Sequence, residues 1–386
     1  MIKTSTWKRA AAAVMALGLV AGACSSSSND DSGAESSETS ESAETETTDE
    51  SSDSDDSSDE PADTVEVVQS DGGRLAAVQE RGSLICGSND TLPGFGIVDD
   101  AGEYSGFDVD FCRVVAAAIL GDASAVEYVP LTAEARFTAL QSGEVDVLIR
   151  NTTWTATRDG AEGADFLFTT FYDGQGMMVP AETGFTTLED LADASICVLS
   201  GTTTELNLTS VFGARGIPFT PIVFEDNTQL RPAYEEGQCE AWTSDASQLA
   251  AFKSSIEGEG GAEQSIMAEV ISKEPLGPVV SDGDTEWAQA VNWATMAPVQ
   301  AWEFGLDSTN IGSYDGDDPN IQRFVGQTDD NVGLGLPSDY AVQAVEQVGN
   351  YKEIYDLNIV PIGLTLEGSP NALWTDGGLM YVPPYR

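Results

Sequence analysis

Past residue 80 the chain switches repeatedly between two hydrophobic patterns. Compact apolar runs at 83–87, 126–130 and 145–149 are bounded by turn residues and predict short buried strands. Between them, Phe111, Val114, Val115, Ala118 and Ile119 recur with helical spacing, in a helix that opens at 106–110 with Asp108 placed to cap it. A second helix covers 136–141 and ends at Gly143, and the loop 89–96 carries the turn signals Pro93, Gly94 and Gly96. Strands alternating with helices in this way imply a largely parallel sheet covered on both faces. Residues 171–179 lead the chain out of that unit, and the alternation resumes with strands at 195–199 and 222–224, a helix at 229–236 and a strand at 240–244. Pro275, Gly277 and Pro278 interrupt an apolar return at 271–280, after which helices are predicted at 286–304 and 340–354. The pattern predicts an α/β chain of two lobes, each a mostly parallel sheet flanked by helices, joined by two crossings. The first lobe takes 65–178, the second 179–275, and 276–386 returns to the first with a C-terminal extension. A single doubly wound sheet is the alternative, since the pattern does not show which strands are neighbours.

The ends and the charge change this picture. Lys3, Lys8 and Arg9 precede the apolar run 10–20, and small residues lead to Cys24; residues 1–23 therefore read as an export signal, too short to be a comfortable membrane span. Ala21-Gly22-Ala23 before Cys24 resembles the lipobox of bacterial lipoproteins, in which that thiol is acylated, although Ala21 stands where the motif more often has Leu. Residues 24–64 are almost wholly Ser, Thr, Glu, Asp and Ala without an aromatic or basic residue, so they have nothing to bury against the entropy of ordering and read as a disordered tether. The net charge is -49, and the body beyond the tether still carries 50 acidic against 13 basic residues. Such a surface repels nucleic acid and anionic lipid, which excludes both as partners and leaves the lipid anchor as the one membrane contact. Histidine is absent, so no Ser-His-Asp set, Cys-His pair or ordinary zinc site can be assembled; no enzyme, cofactor or metal is expected. Beside Cys24 stand four cysteines, which allow three pairings in an exported protein. Lobe membership predicts Cys86 with Cys112 and Cys197 with Cys239, leaving the hinge free.

Ligands of α/β sheets sit outside the C-terminal strand ends, which directs attention to four loops. The first holds Asp90 and Phe95. In the second, Asn151, Thr153 and Trp154 precede Thr155, which can cap a helical turn, and Arg158 follows on the same side. Free N–H groups and a guanidinium make a carboxylate clamp there, unless Arg158 is a plain surface cation; Phe95 and Trp154 either wall the site or belong to the core. In the third loop, Thr202 and Glu205 have capping-box spacing, and a helix N-terminus at Thr202 and Thr203 suits an anion as well as simple capping. In the fourth, Asp245 at a helix start either caps the helix or accepts hydrogen bonds from an ammonium group. Taken together, the loops are complementary to a zwitterion.

The segments LPGF at 92–95, GFDVDFCR at 106–113, PLTAEARFTALQSGEVDVL at 130–148, NTTWTATRD at 151–159, GTTTELNL at 201–208, TSDAS at 243–247, VISKEPLGP at 270–278, QVGNY at 347–351 and NALWTDGGLMYVPPYR at 371–386 carry a resemblance. Over 72–386 the chain resembles the periplasmic binding subunits of general L-amino acid ABC transporters, within the polar amino acid binding family. The resemblance implies an L-amino acid ligand, a permease and ATPase complex as partner, and a monomer. It also implies that Arg158 grips the ligand α-carboxylate, that Thr153 and Thr202 lend hydroxyl or N–H groups, that Asp245 holds the α-amino group, and that hinges lie near Val179 and Pro275. An amino acid-sensing surface lipoprotein not coupled to uptake is the rival reading.

Overall fold

The computed structural model describes residues 73–328 and 333–385. The expected export signal, Cys24 and the acidic tether lie outside them. In chain order, helix α1 (Arg74–Arg81) precedes strand β1 (Leu84–Ser88), and a small three-stranded sheet of β2 (Thr91–Leu92), β3 (Gly96–Val98) and β4 (Tyr104–Ser105) follows. Helix α2 (Phe107–Leu120), β5 (Val126–Pro130), α3 (Arg136–Ser142), β6 (Val147–Leu148), α4 (Ala156–Ala161) and β7 (Ala164–Phe166) come next. The chain leaves through β8 (Phe171–Asp173) and builds a second sheet from β9 (Gln175–Pro180), β10 (Ser195–Leu199), β11 (Thr220–Phe224), β12 (Ala241–Asp245) and β13 (Gln264–Ile266). That sheet carries α5 (Thr203–Arg215), α6 (Asn227–Glu235) and α7 (Ala246–Gly258). Strand β14 (Glu274–Leu276) brings the chain back, β15 (Val279–Ser281) enters the first sheet, and α8 (Thr285–Glu303), α9 (Pro319–Phe324), α10 (Tyr340–Val348) and α11 (Tyr351–Asn358) complete that lobe.

The spatial orders are β5-β1-β6-β15-β7 and β11-β10-β12-β9-β13. In each sheet one strand opposes the other four: β15 pairs antiparallel with β6 and β7, and β9 with β12 and β13. The opposed strand is the one that enters its sheet straight from a crossing. Such a strand starts at the edge where the others end, so it must run away from that edge.

The crossings themselves pair, with Glu274 opposite Asp173, Pro275 opposite Tyr172 and Leu276 opposite Phe171. Pro275 thus lies in the second crossing. Val179 lies in neither: it sits inside β9 opposite Ser265, and the first crossing passes earlier, at 171–174. The reason is Gly174 and Gln175, where the chain already turns into the second sheet; Gln175 is wholly buried and pairs with Asp245.

Two further expectations change. Asp108 does not cap α2, because the cap is Gly106 at φ 136°, a position where a Cβ would come 2.2 Å from the Phe95 carbonyl oxygen. The helix predicted over 340–354 is two, split where Gly349 takes φ 120° and Asn350 forms a capping box with Glu353. Helix α2 is apolar nearly all round and buried, with β1 beneath and α8 and α10 against it. Cys86 of β1 is joined to Cys112 of α2, and Cys197 of β10 to Cys239 just before β12. Neither bridge spans the crossings.

Candidate functional site

The C-terminal ends of β6, β10 and β12 face one another across a cleft between the two sheets. Hydrogen bonds close it: Ser200 Oγ donates to Glu134 at 2.9 Å, and Asn151 Nδ2 donates to Asp245 Oδ2 at 3.1 Å and to Gln248 Oε1 at 3.2 Å. The hydroxyls of Thr153 and Thr203 stand 3.3 Å apart.

Three buried arginines come from the first lobe. Arg158 follows its cap, since the Thr155 hydroxyl accepts from the Arg158 N–H at 3.2 Å. Its guanidinium donates to the Thr153 carbonyl at 3.0 Å and, across the cleft, to the Gly201 carbonyl at 3.4 Å. At 8% exposed it is no surface cation. Arg136 in the first turn of α3 reaches the same Gly201 carbonyl at 3.3 Å, and both guanidiniums lie over the Phe137 ring, at 5.2 and 5.4 Å from its centre. Arg150, at the end of the short run after β6, donates through Nη2 to Asn89 Oδ1 at 2.9 Å and to Asn151 Oδ1 at 3.1 Å. Burial lowers the pKa of all three, and Arg150 falls to about 10.

Carboxylates come from the second lobe and the crossings. Asp245 stands at the N-cap of α7 but makes no capping bond with its side chain; it is 5% exposed and accepts from Asn151. Burial, then the neighbouring Asp173 and Glu274, push its pKa well above the carboxylate range. Asp173, pushed up to about 6 mainly by burial, accepts from the Gly174 and Ser247 N–H groups. Glu274 accepts from the Thr203 hydroxyl at 2.8 Å and from Asn207 at 2.9 Å. Sequence reasoning assigned no role to Arg136, Arg150, Asp173 or Glu274. Arginines inside or beside apolar runs, in a chain with only 16 basic residues, were the signal for the first two.

Asn151, Thr153, Thr202, Thr203 and Asp245 line a cavity of about 20 Å³ together with Arg136, Arg150, Thr204, Ser244 and Gln248. Thr202 also caps α5, its hydroxyl accepting from the Glu205 N–H at 3.1 Å. Asp90 lines an adjoining cavity of about 370 Å³, along with Asn89, Thr91, Thr132, Glu225 and Asn227. Arg150, Ala133 and Leu199 border both. The two aromatic residues considered as walls lie elsewhere. Phe95 is wholly buried, edge-on to Phe107 and Phe171 in the first-lobe core. Trp154 is 43% exposed and stacks on Phe166 beside a separate surface cavity. Among the described residues no cluster of His, Cys, Asp and Glu could hold a metal ion.

The arrangement sets cationic and anionic groups on opposite sides of one cleft, which is complementary to a small molecule with a negative and a positive end. A family model described as bacterial extracellular solute-binding proteins, family 3, matches residues 84–300. The chain is 44% identical over 323 residues to the general L-amino acid-binding periplasmic protein AapJ of Rhizobium johnstonii, spanning 81% of this chain and 92% of that one. It is 45% identical over 316 residues to the glutamate/glutamine/aspartate/asparagine-binding protein BztA of Rhodobacter capsulatus, spanning 81% and 93%. Among solved structures, an ABC transporter periplasmic binding protein from Brucella ovis with glutathione bound matches with a TM-score of 0.77 and 43% identity, over 82% of this chain and 100% of that one.

Proposed function

The chain belongs to the bacterial extracellular solute-binding proteins of family 3, and from that premise we propose that it binds L-amino acids in the cleft between its lobes and delivers them to the permease and ATPase of an ABC importer. Members of this family are binding proteins and not enzymes, and they work outside the cytoplasm. The observation that carries the proposal is the meeting of Thr153 and Asn151 from one lobe with Asp245 from the other around one cavity, with buried Arg158 held on the Thr153 carbonyl beside it and within electrostatic reach of Asp245.

In this reading Arg158 grips the ligand α-carboxylate, helped by the Thr153 hydroxyl and by N–H groups at Thr202 and Thr203, while Asp245 takes the α-ammonium. Each end must be satisfied, because a buried unpaired charge costs several kcal/mol. A space of about 20 Å³ holds about one water, so the cross-cleft bonds part to admit an amino acid and the ligand then bridges the lobes. That is a two-state closure about the paired crossings, with the closed shape read by the transporter.

No helix among the described residues is long and apolar enough to cross a membrane. Acylation of Cys24 would hold the protein, as a monomer on its acidic tether, at the outer face of the cytoplasmic membrane. Finding the mature N-terminus at another residue, without an acyl mass, rejects the anchor. For the function itself, thermal shift of the full chain against the common L-amino acids and a panel of sugars is the direct test. Amino acids should raise the midpoint and sugars should not; a shift with sugars alone refutes the reading. Uptake of the best amino acid should fall in cells lacking the protein, and undiminished uptake would favour sensing over transport.

A further inference from the structure

Strand β8, in the first crossing, is held from two sides. Its register with β14 sets Tyr172 opposite Pro275, which has no N–H to give, so the Tyr172 N–H and C=O point to the outer edge of this two-stranded sheet. Buried backbone groups need partners, and one side chain supplies both. Asn371, 3% exposed, accepts from the Tyr172 N–H through Oδ1 at 2.7 Å and donates to the Tyr172 carbonyl through Nδ2 at 3.1 Å. Two residues earlier, the Tyr351 hydroxyl donates to the Thr170 carbonyl at 2.9 Å, and between them the Phe171 ring stacks on Tyr355 with centres 6.1 Å apart. Residues 170–172 are thus fastened by three side chains from 351–371, a stretch that lies past the family match at 84–300.

The hold passes to the second lobe at the next residues. The Gly174 carbonyl accepts from the Ala246 N–H of α7 at 2.7 Å, and the Gln175 N–H donates to Ser272 Oγ at 3.2 Å. In the other crossing, the Pro275 and Leu276 carbonyls accept from the first-lobe N–H groups of Trp154 and Thr170, both at 2.9 Å, whereas the Glu274 carboxylate is held by Thr203 and Asn207 of α5. Asp173 and Glu274 face each other in the register, so both crossings change lobes at one rung.

We propose that the segment 351–371 is a brace that confines lobe rotation to the Asp173–Glu274 rung, with Asn371 as the positioning residue that acts on ligand binding through Tyr172. This rests on the closure about the crossings described under the proposed function. A bend confined to one rung brings Thr203 and Asp245 onto Thr153 and Asn151 along one path. A bend spread over 170–174 reaches many orientations in which those groups miss one another, so the competent fraction falls, and the apparent affinity with it. Asn371 lines neither cavity of the cleft, so its removal weakens every ligand by the same factor.

The test is Asn371→Leu in the full chain, close in shape but unable to donate or accept, read by amide hydrogen exchange and by calorimetric titration with L-glutamate and L-alanine. Without ligand, the wild-type amides of Thr170 and Tyr172 should be more protected than that of Gly174, and in the variant their protection should drop about tenfold or more toward it. Both amino acids should bind the folded variant about threefold to tenfold more weakly, by the same factor. A lower melting temperature with unchanged affinity would make Asn371 a plain packing residue and overturn the proposal, as would wild-type protection at Thr170 and Tyr172 no greater than at Gly174. If Asn371→Leu does not fold, Tyr351→Phe, which takes one hydroxyl from the Thr170 carbonyl, should produce the same two changes to a smaller degree, and neither change in that variant overturns the brace. If the wild-type protein binds neither amino acid, it is the amino acid reading that fails, and the exchange without ligand still decides where the lobes pivot.

Discussion

Replacing Asp245 by Asn separates recognition of an ammonium group from helix capping more sharply than any other change. Asn nearly preserves the shape, can still accept from Asn151 and caps helices as well as Asp does. Only the charge is lost. A buried charge left without its partner costs about 2 to 5 kcal/mol, so affinity for an L-amino acid should fall by roughly thirtyfold to several thousandfold. The deaminated acid of the same ligand, which has no ammonium, should lose little. The ligand-free protein should move the other way. In the folded state burial and the nearby Asp173 and Glu274 raise the pKa of Asp245 above the ordinary value of 3.8. A raised carboxylate binds more protons folded than unfolded, so its contribution to stability is full below pH 3.8 and is lost as pH rises through the folded pKa. Asn removes that loss, and the unliganded variant should melt at or above the wild-type temperature at pH 7. Titration calorimetry with L-glutamate and with glutarate, alongside a melting curve without ligand, reads both effects. Equal binding of glutamate by variant and wild type, with both folded, would falsify the assignment of Asp245.

Asp108 and Asp173, pushed up to about 7 and about 6 chiefly by burial, should make ligand-free stability fall as pH rises from about 4 to 7; urea midpoints across that window test it, Asp108→Asn should flatten the upper part, and a rise with pH refutes the reasoning. Gly201 has φ 67°, and a Cβ there would lie 2.9 Å from Glu134 Cα across the cleft, so Gly201→Ala should hold the lobes apart. Its ligand affinity should drop about tenfold or more through a smaller closed population, with ligand-induced compaction in small-angle scattering reduced; unchanged closure rejects this. Opening the Cys197–Cys239 bridge, which spans 42 residues, should cost about 4 kcal/mol in chain entropy, and peptide mapping without reductant should recover this pair and Cys86–Cys112. A peptide joining the two lobes contradicts both pairings.

Much of the fold was legible because strand and helix periods are local. The strands at 195–199 and 126–130 and the helix from Phe107 follow from apolar spacing alone. The hinge near Val179 was implied by the resemblance, whereas the pattern showed only that 171–179 leads out of the first unit; a strand leaving a crossing and a strand inside a sheet have the same period, and only pairing of Gln175 with Asp245 shows where the second sheet begins. Gly349 and Asn350 did carry the break between α10 and α11 in the sequence, as a glycine followed by a capping residue. In the site, Thr155 and Thr202 were readable as caps because capping is a three-residue relation. Asp245 was ambiguous since its partner Asn151 lies 94 positions away. The aromatic residues Phe95 and Trp154 fared worst. Loop position says nothing of which way a ring points, and Phe107 and Phe171 draw Phe95 into the core.

The charges of the cleft are sorted by lobe, and that sorting bears on how closure can depend on ligand. Arg136, Arg150 and Arg158 all come from the first lobe, whereas Asp245 belongs to the second and Asp173 and Glu274 to the crossings. In a chain with 16 basic against 65 acidic residues, three arginines buried at one edge are a concentrated exception. A zwitterion in the cleft has its carboxylate drawn to the first lobe and its ammonium to the second; reversed, both ends would meet like charge. Without ligand, Arg136 and Arg158 share one neutral acceptor on the second lobe, the Gly201 carbonyl, at 3.3 and 3.4 Å. Those are long bonds for a cation. In the proposed reading a ligand carboxylate would give these first-lobe arginines shorter charge-assisted bonds in the open and closed forms alike, so the differential free energy that favours closure must come from what the second lobe adds, with Asp245 on the ammonium. In the proposed reading an uncharged solute of the same size would engage neither the arginines nor Asp245 as a charge, so sugars are expected to be rejected.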